Sequence, residues 1–283
     1  MILGGVQFGQ AYGVSNSINS EIDDDELKQI LEFAFFNNIR TIDTAQGYGN
    51  SESRLGRHSN GFEFITKITI DKDDELTIKE SLFDSLAKLR KKQLYGVLIH
   101  RSSDLNDSYK RKELFKALDF FKSENLIKNV GISIYDPQEL VHSMKFYDFD
   151  IVQAPLNIFD TRLIRHDIYN DILKKDIKIH ARSVFLQGLL LMKIDRIPAY
   201  FSPWMSDIKR VDNFFRKQDI NKINYMINFV ESFQNVESII GVQSFQELKD
   251  IVESTKISKH TEFYHPDLSD SDIELINPSK WSV

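Results

Sequence analysis

A single (β/α)8 barrel is the fold this sequence predicts, and three observations predict it. Eight short β-rich runs are spread over 283 residues, they alternate with longer stretches of helical period, and titratable side chains stand where several of the runs stop. The runs are 2–8, 40–43, 64–67, 96–100, 129–133, 151–154, 177–182 and 238–241. Between them, apolar residues recur at three- and four-residue spacing, as in Leu27, Ile30, Leu31 and Phe35, or Leu82, Leu86 and Leu89. Two helix starts are explicit. Asp136, Pro137 and Glu139 have the spacing of N-cap, N1 and N3, and Ser244 with Glu247 has that of a capping box.

A doubly wound sheet is the competing architecture and would bring GxGxxG between its first strand and helix, whereas this chain has GGVQFGQAYG. The stretch 193–233, rich in aromatics (Tyr200, Phe201, Trp204, Phe214, Phe215), is longer than one crossover needs. It predicts a loop and two extra helices before the last strand, with a C-terminal tail beyond that strand. No shift in composition divides the chain, so 1–283 reads as one barrel domain.

Composition narrows the function. The chain has no cysteine, which removes disulfides and thiolate chemistry, and its seven histidines show no HxxxH or HExxH spacing for a metal. A net charge of -6 without a basic stripe gives no attraction to nucleic acid. The N-terminus lacks a basic n-region, and no eighteen apolar residues run together, so the expectation is a cytosolic protein without a membrane span.

The candidate chemistry sits at the strand ends, where barrels of this type place it. Asp43 closes the second run, Lys67 the third and His100 the fourth, and Tyr48 follows Asp43 in the glycine-flanked turn of RTIDTAQGYG (40–49). Singly, each has an ordinary explanation: a turn cap, a solvated lysine, a satisfied core histidine. Together they resemble the Asp, Tyr, Lys, His tetrad of the aldo-keto reductases. The ordered motifs YGNSESRLG (48–56), GISIY (131–135), VQAPLN (152–157) and SIIGVQS (238–244) extend the resemblance over nearly the whole chain.

The resemblance implies reduction of an aldehyde or ketone, without metal, by a nicotinamide dinucleotide lying across the barrel mouth. Hydride arriving at a carbonyl carbon leaves negative charge on oxygen, which needs a proton donor within hydrogen-bond reach. Tyr48 is the candidate acid. A free phenol has a pKa of about 10, and an adjacent ammonium such as Lys67 stabilises the phenolate left behind. Asp43 would hold that lysine, and His100 would orient the carbonyl or itself give the proton.

By the same resemblance, Ser133, Gln153, Arg182, Ser183, Gly241, Gln243 and Ser244 are the candidate cofactor contacts. Ser133 and Gln153 match positions that hold the nicotinamide carboxamide, although Ile134 stands where the family usually has asparagine. Arg182 stands where the family often has a stacking aromatic ring, and a guanidinium can also stack or meet a phosphate. NADP is the family-level expectation and NAD the other possibility, because Gln243 and Glu247 replace the arginine and second polar contact of many NADP-dependent relatives. Glu247 has the alternative role of completing the capping box.

Gln7, Tyr12, Phe159, Arg162 and Trp204 are the candidate substrate wall, with Phe8 and Tyr200 beside them, and Trp281 either covers the pocket or anchors the tail. The phrases LGGVQFGQAYGV, PLNIFDTRL and ARSVFLQGLL are similar to bacterial members associated with cell-surface polysaccharide pathways. That similarity implies a small-molecule carbonyl substrate of the sugar-ketone type. Two other functions stay open: a dinucleotide-binding sensor with little turnover, and a barrel using Lys67 as a Schiff-base lysine or binding a sugar phosphate.

Overall fold

A computed structural model of the chain describes residues 1–13, 22–70, 74–257, 263 and 272–282. Eight parallel strands close a barrel in sequence order: β1 (Ile2–Gly4), β2 (Thr41–Asp43), β3 (Glu63–Ile68), β4 (Leu94–Ile99), β5 (Ile127–Ser133), β6 (Ile151–Pro155), β7 (Lys178–Arg182) and β8 (Val236–Gly241). Each strand pairs with the next and β8 pairs with β1, so no edge remains open.

The helices between them are α1 (Asp24–Phe36), α2 (Ser51–His58), α3 (Glu75–Lys88), α4 (Ser108–Ser123), α5 (Pro137–Ser143), α6 (Arg162–Arg165), α7 (Ile168–Lys174), α8 (Met205–Lys217) and α9 (Lys222–Glu231), with α10 (Phe245–Thr255) and a short α11 (Ile273–Ile276) after β8. None of the described helices is long and apolar enough to cross a membrane.

Strand parity divides the core in two. Ile2, Ile65, Leu98 and Ile151 form a buried layer inside the barrel, and successive residues point to opposite faces. Lys67, two residues past Ile65, and Gln153, two past Ile151, therefore point inward as well, one layer nearer the mouth. Gly131 makes room for that layer. A Cβ there would lie 2.4 Å from Leu98 Cδ2 and 2.5 Å from the Ile151 carbonyl oxygen. The alternate residues, such as Leu3, Ile42, Phe64, Val97 and Ile132, face outward into one continuous core with Leu27, Leu82 and Leu118 of the helices.

The helix starts follow the expected chemistry. Asp136 caps α5 by accepting from the Gln138 N–H, with Pro137 at the first helical position, and Ser244 caps α10 by accepting from the Glu247 N–H at 3.1 Å. One strand is shorter than expected. β1 ends at Gly4, and Val6–Phe8 is a 3-10 turn that buries Phe8 completely, because the Gly5 N–H turns aside to the Asp43 carbonyl at 2.8 Å. The late stretch forms two 3-10 turns, Ile194–Arg196 and Ala199–Trp204, before α8 and α9.

Candidate active site at the barrel mouth

The site starts from a turn that requires glycine at position 49. After β2 the chain passes through Gly47, Tyr48 and Gly49, with Gly49 at φ +55°. The loop after β1 lies directly against it. A Cβ on Gly9 would stand 1.9 Å from the Tyr48 carbonyl oxygen, and one on Gly49 would stand 2.2 Å from that of Gly9. The Ser51 hydroxyl completes the clasp by donating to the Gly5 carbonyl at 2.8 Å. Tyr48 is thereby fixed between two strand ends.

Lys67 is fully buried, and its ammonium has three protons. They go to the Asp43 carboxylate, to the Thr44 carbonyl at 3.1 Å and to the Tyr48 hydroxyl oxygen at 3.3 Å. Burial alone pushes the lysine down, but Asp43 and Tyr48 outweigh it and hold its pKa above the ordinary value. Lys67 is therefore a cation at neutral pH, which leaves no free amine for a Schiff base. Because Tyr48 accepts from Lys67, its own proton is directed elsewhere, and its side chain lines the cleft at the mouth.

His100 lies just past β4 with its ring edge-on to that of Tyr48, centroids 5.8 Å apart. Burial lowers its pKa to about 4, with Lys67, Arg182 and Arg101 adding positive charge nearby. The imidazole is neutral at pH 7, and its buried Nδ1 has no hydrogen-bond partner among the described residues. Arg182, at the end of β7, donates to the Ile134 carbonyl at 2.9 Å and lies 4.0 Å over the Tyr135 ring. Ile134 itself is buried core.

A cleft of about 330 Å³, within the size range of small-molecule sites, runs from Tyr48 and Asp43 over Gly4, Gly5 and Gly241 to Glu247 and Asp250 at the first turns of α10. It brings together Asp43, Tyr48, Gln7, Tyr12, Gln153, Arg182, Ser183, Gly241 and Gln243. Lys67 stands behind it. Ser133 is buried beside Gln153 in the strand register without lining the cleft, and Ser244 is the helix cap.

The other proposed wall residues sit elsewhere. Phe159 is wholly buried core, and the Arg162 guanidinium is taken by Asp160, with two contacts of 2.9 Å, by Asp136 and by the Tyr135 carbonyl. The Trp204 indole donates to Asp272, and Trp281 packs on Phe201 and donates to the Leu275 carbonyl at 3.0 Å, which anchors the tail. Residues 258–262 and 264–271 of that tail lie outside the described residues.

The loop after β7 forms more of the cleft wall than the expected contacts Arg182 and Ser183, and it adds Val184, Phe185, Gln187 and Gly188. Ser183, Leu186, Gln187 and Gly188 all have positive φ, and Gln187 donates its amide to the Tyr12 hydroxyl at 2.9 Å. For Gln187 and Gly188 the sign in the sequence was the glycine of FLQGLL, which marks a turn but not the face it presents.

A closed barrel whose mouth holds a tyrosine, a charged buried lysine, an aspartate and a neutral histidine beside one cleft defines a class of barrel enzyme. The chain belongs to the aldo/keto reductase family, whose family model matches residues 1–265, and the family is one of oxidoreductases. Among solved structures, an aldo-keto reductase from Bacillus halodurans in its holo form is similar with a TM-score of 0.75 at 17% identity, over 92% of this chain and 88% of that one. An aldo-keto reductase from Klebsiella pneumoniae in complex with NADPH gives a TM-score of 0.69 at 14% identity, over 92% of this chain and 87% of that one. Likeness at such identity speaks for the fold. A comparison with curated proteins gives no significant match.

Proposed function

We propose that the protein reduces an aldehyde or ketone at the barrel mouth, with Tyr48 as the proton donor and a nicotinamide dinucleotide, NADP(H) by family, in the cleft. The observation that carries this is the use of the Lys67 ammonium: its three protons are spent on Asp43, the Thr44 carbonyl and the Tyr48 oxygen. That arrangement stabilises a phenolate and leaves the phenol proton for a ligand.

The cleft suits such a group on its own chemistry. Gln7 Oε1 is buried and has no partner among the described residues, so it expects a donor from a ligand, and a Cβ on Gly241 would meet the Gln7 amide at 2.5 Å. Gln7, Gly241 and Gln243 would hold the dinucleotide, with Arg182 and Ser183 on the facing wall. The bound dinucleotide supplies the hydride.

The residues of the chain then divide the rest of the work. Tyr48 gives its proton to the carbonyl oxygen, and Lys67 carries the compensating charge under the control of Asp43. His100, neutral at pH 7, is a far weaker acid than a phenol and serves as an orienting hydrogen-bond donor. The Gln187 amide and the Tyr12 hydroxyl would pair with the hydroxyls of a sugar-like ketone.

The test is Tyr48→Phe, assayed with NADPH and NADH on a panel of aldehydes and ketones that the wild type reduces. Turnover should fall by about 10² to 10⁴ while dinucleotide binding is kept. Undiminished turnover would remove Tyr48 from the role, and cofactor binding by the wild type without turnover on any carbonyl would favour a sensor.

A further inference from the structure

Where the cleft meets α10 it is lined by acids. Glu247 and Asp250 stand there beside Ile251, and Arg182, at the end of β7, is the only lysine or arginine lining the cleft among the described residues. Barrels of this architecture often hold a phosphate at this place, using the loops after the last strands and a helix N-terminus.

Here three donors at that terminus are already taken. The Gln243 N–H goes to the Glu247 carboxylate at 2.7 Å, the Phe245 N–H to the Glu26 carboxylate of α1 at 2.5 Å, and the Glu247 N–H to the Ser244 hydroxyl at 3.1 Å. Two carboxylates thus do what an anionic ligand would do. A phosphate arriving there would meet like charge, with the Phe245 and Glu247 amides already engaged.

A dinucleotide with its nicotinamide beside Tyr48 and its length along the cleft brings its adenosine ribose to this acidic end. From this geometry, and resting on the dinucleotide reading above, we infer that the site is made for a ribose carrying free hydroxyls, so that NADH is bound at least as tightly as NADPH. Glu247 and Asp250 accept hydrogen bonds from the ribose diol, and Glu26 and Glu247 together repel a 2′-phosphate.

The experiment is titration of the full-length protein with NADH and with NADPH, followed by tryptophan fluorescence, for the wild type and for Glu26→Gln combined with Glu247→Gln. Glutamine keeps an acceptor for each backbone N–H and removes only the charge, so the fold is preserved. The wild type should bind NADH equally or more tightly. The double variant should shift the affinity ratio toward NADPH by about tenfold, a change that a merely structural role for the two acids would not produce. Wild-type binding of NADPH more than about tenfold tighter than NADH would overturn the inference. An unchanged ratio in the double variant would remove these two carboxylates as its cause. Binding of neither coenzyme would sink the dinucleotide reading itself and this inference with it.

Discussion

Gln153 donates its side-chain amide to Asp43 at 2.8 Å across the barrel, from a strand 110 residues farther along the chain. Asp43 therefore holds two donors, Lys67 on one oxygen and Gln153 on the other. Gln153→Leu removes one donor from a buried carboxylate and should cost about 1–3 kcal/mol in urea denaturation. Gln153→Glu should cost more, because two carboxylates at that distance resist being ionised together. Equal stability of all three proteins would mean that Asp43 is held by Lys67 alone.

Lys67→Met replaces the ammonium by an apolar chain of similar length and leaves the Asp43 charge in the barrel with one donor. Breaking a buried pair from one side costs about 3–5 kcal/mol. Turnover should fall by about 10² or more, since the phenolate loses its counter-charge. Dinucleotide affinity, read by fluorescence titration, should change far less than turnover. A variant that folds and keeps wild-type turnover would separate Lys67 from the chemistry.

Most of the barrel was legible because its strands are written in apolar runs whose parity is unambiguous. Ile65 and Lys67, or Ile151 and Gln153, share a face wherever the strand exists. The Tyr48 turn was legible for a similar local reason, its two flanking glycines. What the sequence withheld depends on contacts between distant segments: the Gln153 amide on Asp43, Arg182 over Tyr135, and Glu26 on the Phe245 N–H. Arg162 looked like a substrate contact because a lone arginine after a strand is ambiguous until its acids, Asp160 and Asp136, are seen to surround it. The first run looked four residues longer than β1 because VQF has strand propensity, but Gly5 and the Asp43 carbonyl redirect the chain there.

Gly9 supports the Tyr48 turn without touching the cleft. In Gly9→Ala the new methyl would lie 1.9 Å from the Tyr48 carbonyl oxygen and 2.6 Å from the Ser51 nitrogen, so the turn must move. Overpacking of this kind costs about 1–3 kcal/mol. A shift of about 1 Å in the proton donor is worth about 10²-fold in rate. Turnover should therefore drop far more than the thermal midpoint. Loss of stability with unchanged activity would show that the turn relaxes without moving the phenol.

The pH dependence of stability should come largely from two neutral histidines. Burial lowers His180, inside the barrel, to about 3, with Lys178 and Lys67 adding to the effect, and lowers His100 to about 4. In the unfolded chain both return to about 6.5, so below that pH the unfolded state binds protons that the folded state refuses. Their stabilisation is fully present above pH 6.5 and declines as pH falls toward 4. At pH 5 the loss is about 2 kcal/mol for each histidine. Both His180 nitrogens are buried without a partner among the described residues, so His180→Leu removes two unsatisfied polar atoms and should be tolerated at pH 7. Buried Glu52, whose pKa is raised, works in the opposite sense but is present in both proteins and cancels in the comparison. Urea midpoints at pH 7 and pH 5 should then show the variant losing about 2 kcal/mol less than the wild type. Identical losses would mean that His180 is already protonated, or solvated, in the folded barrel.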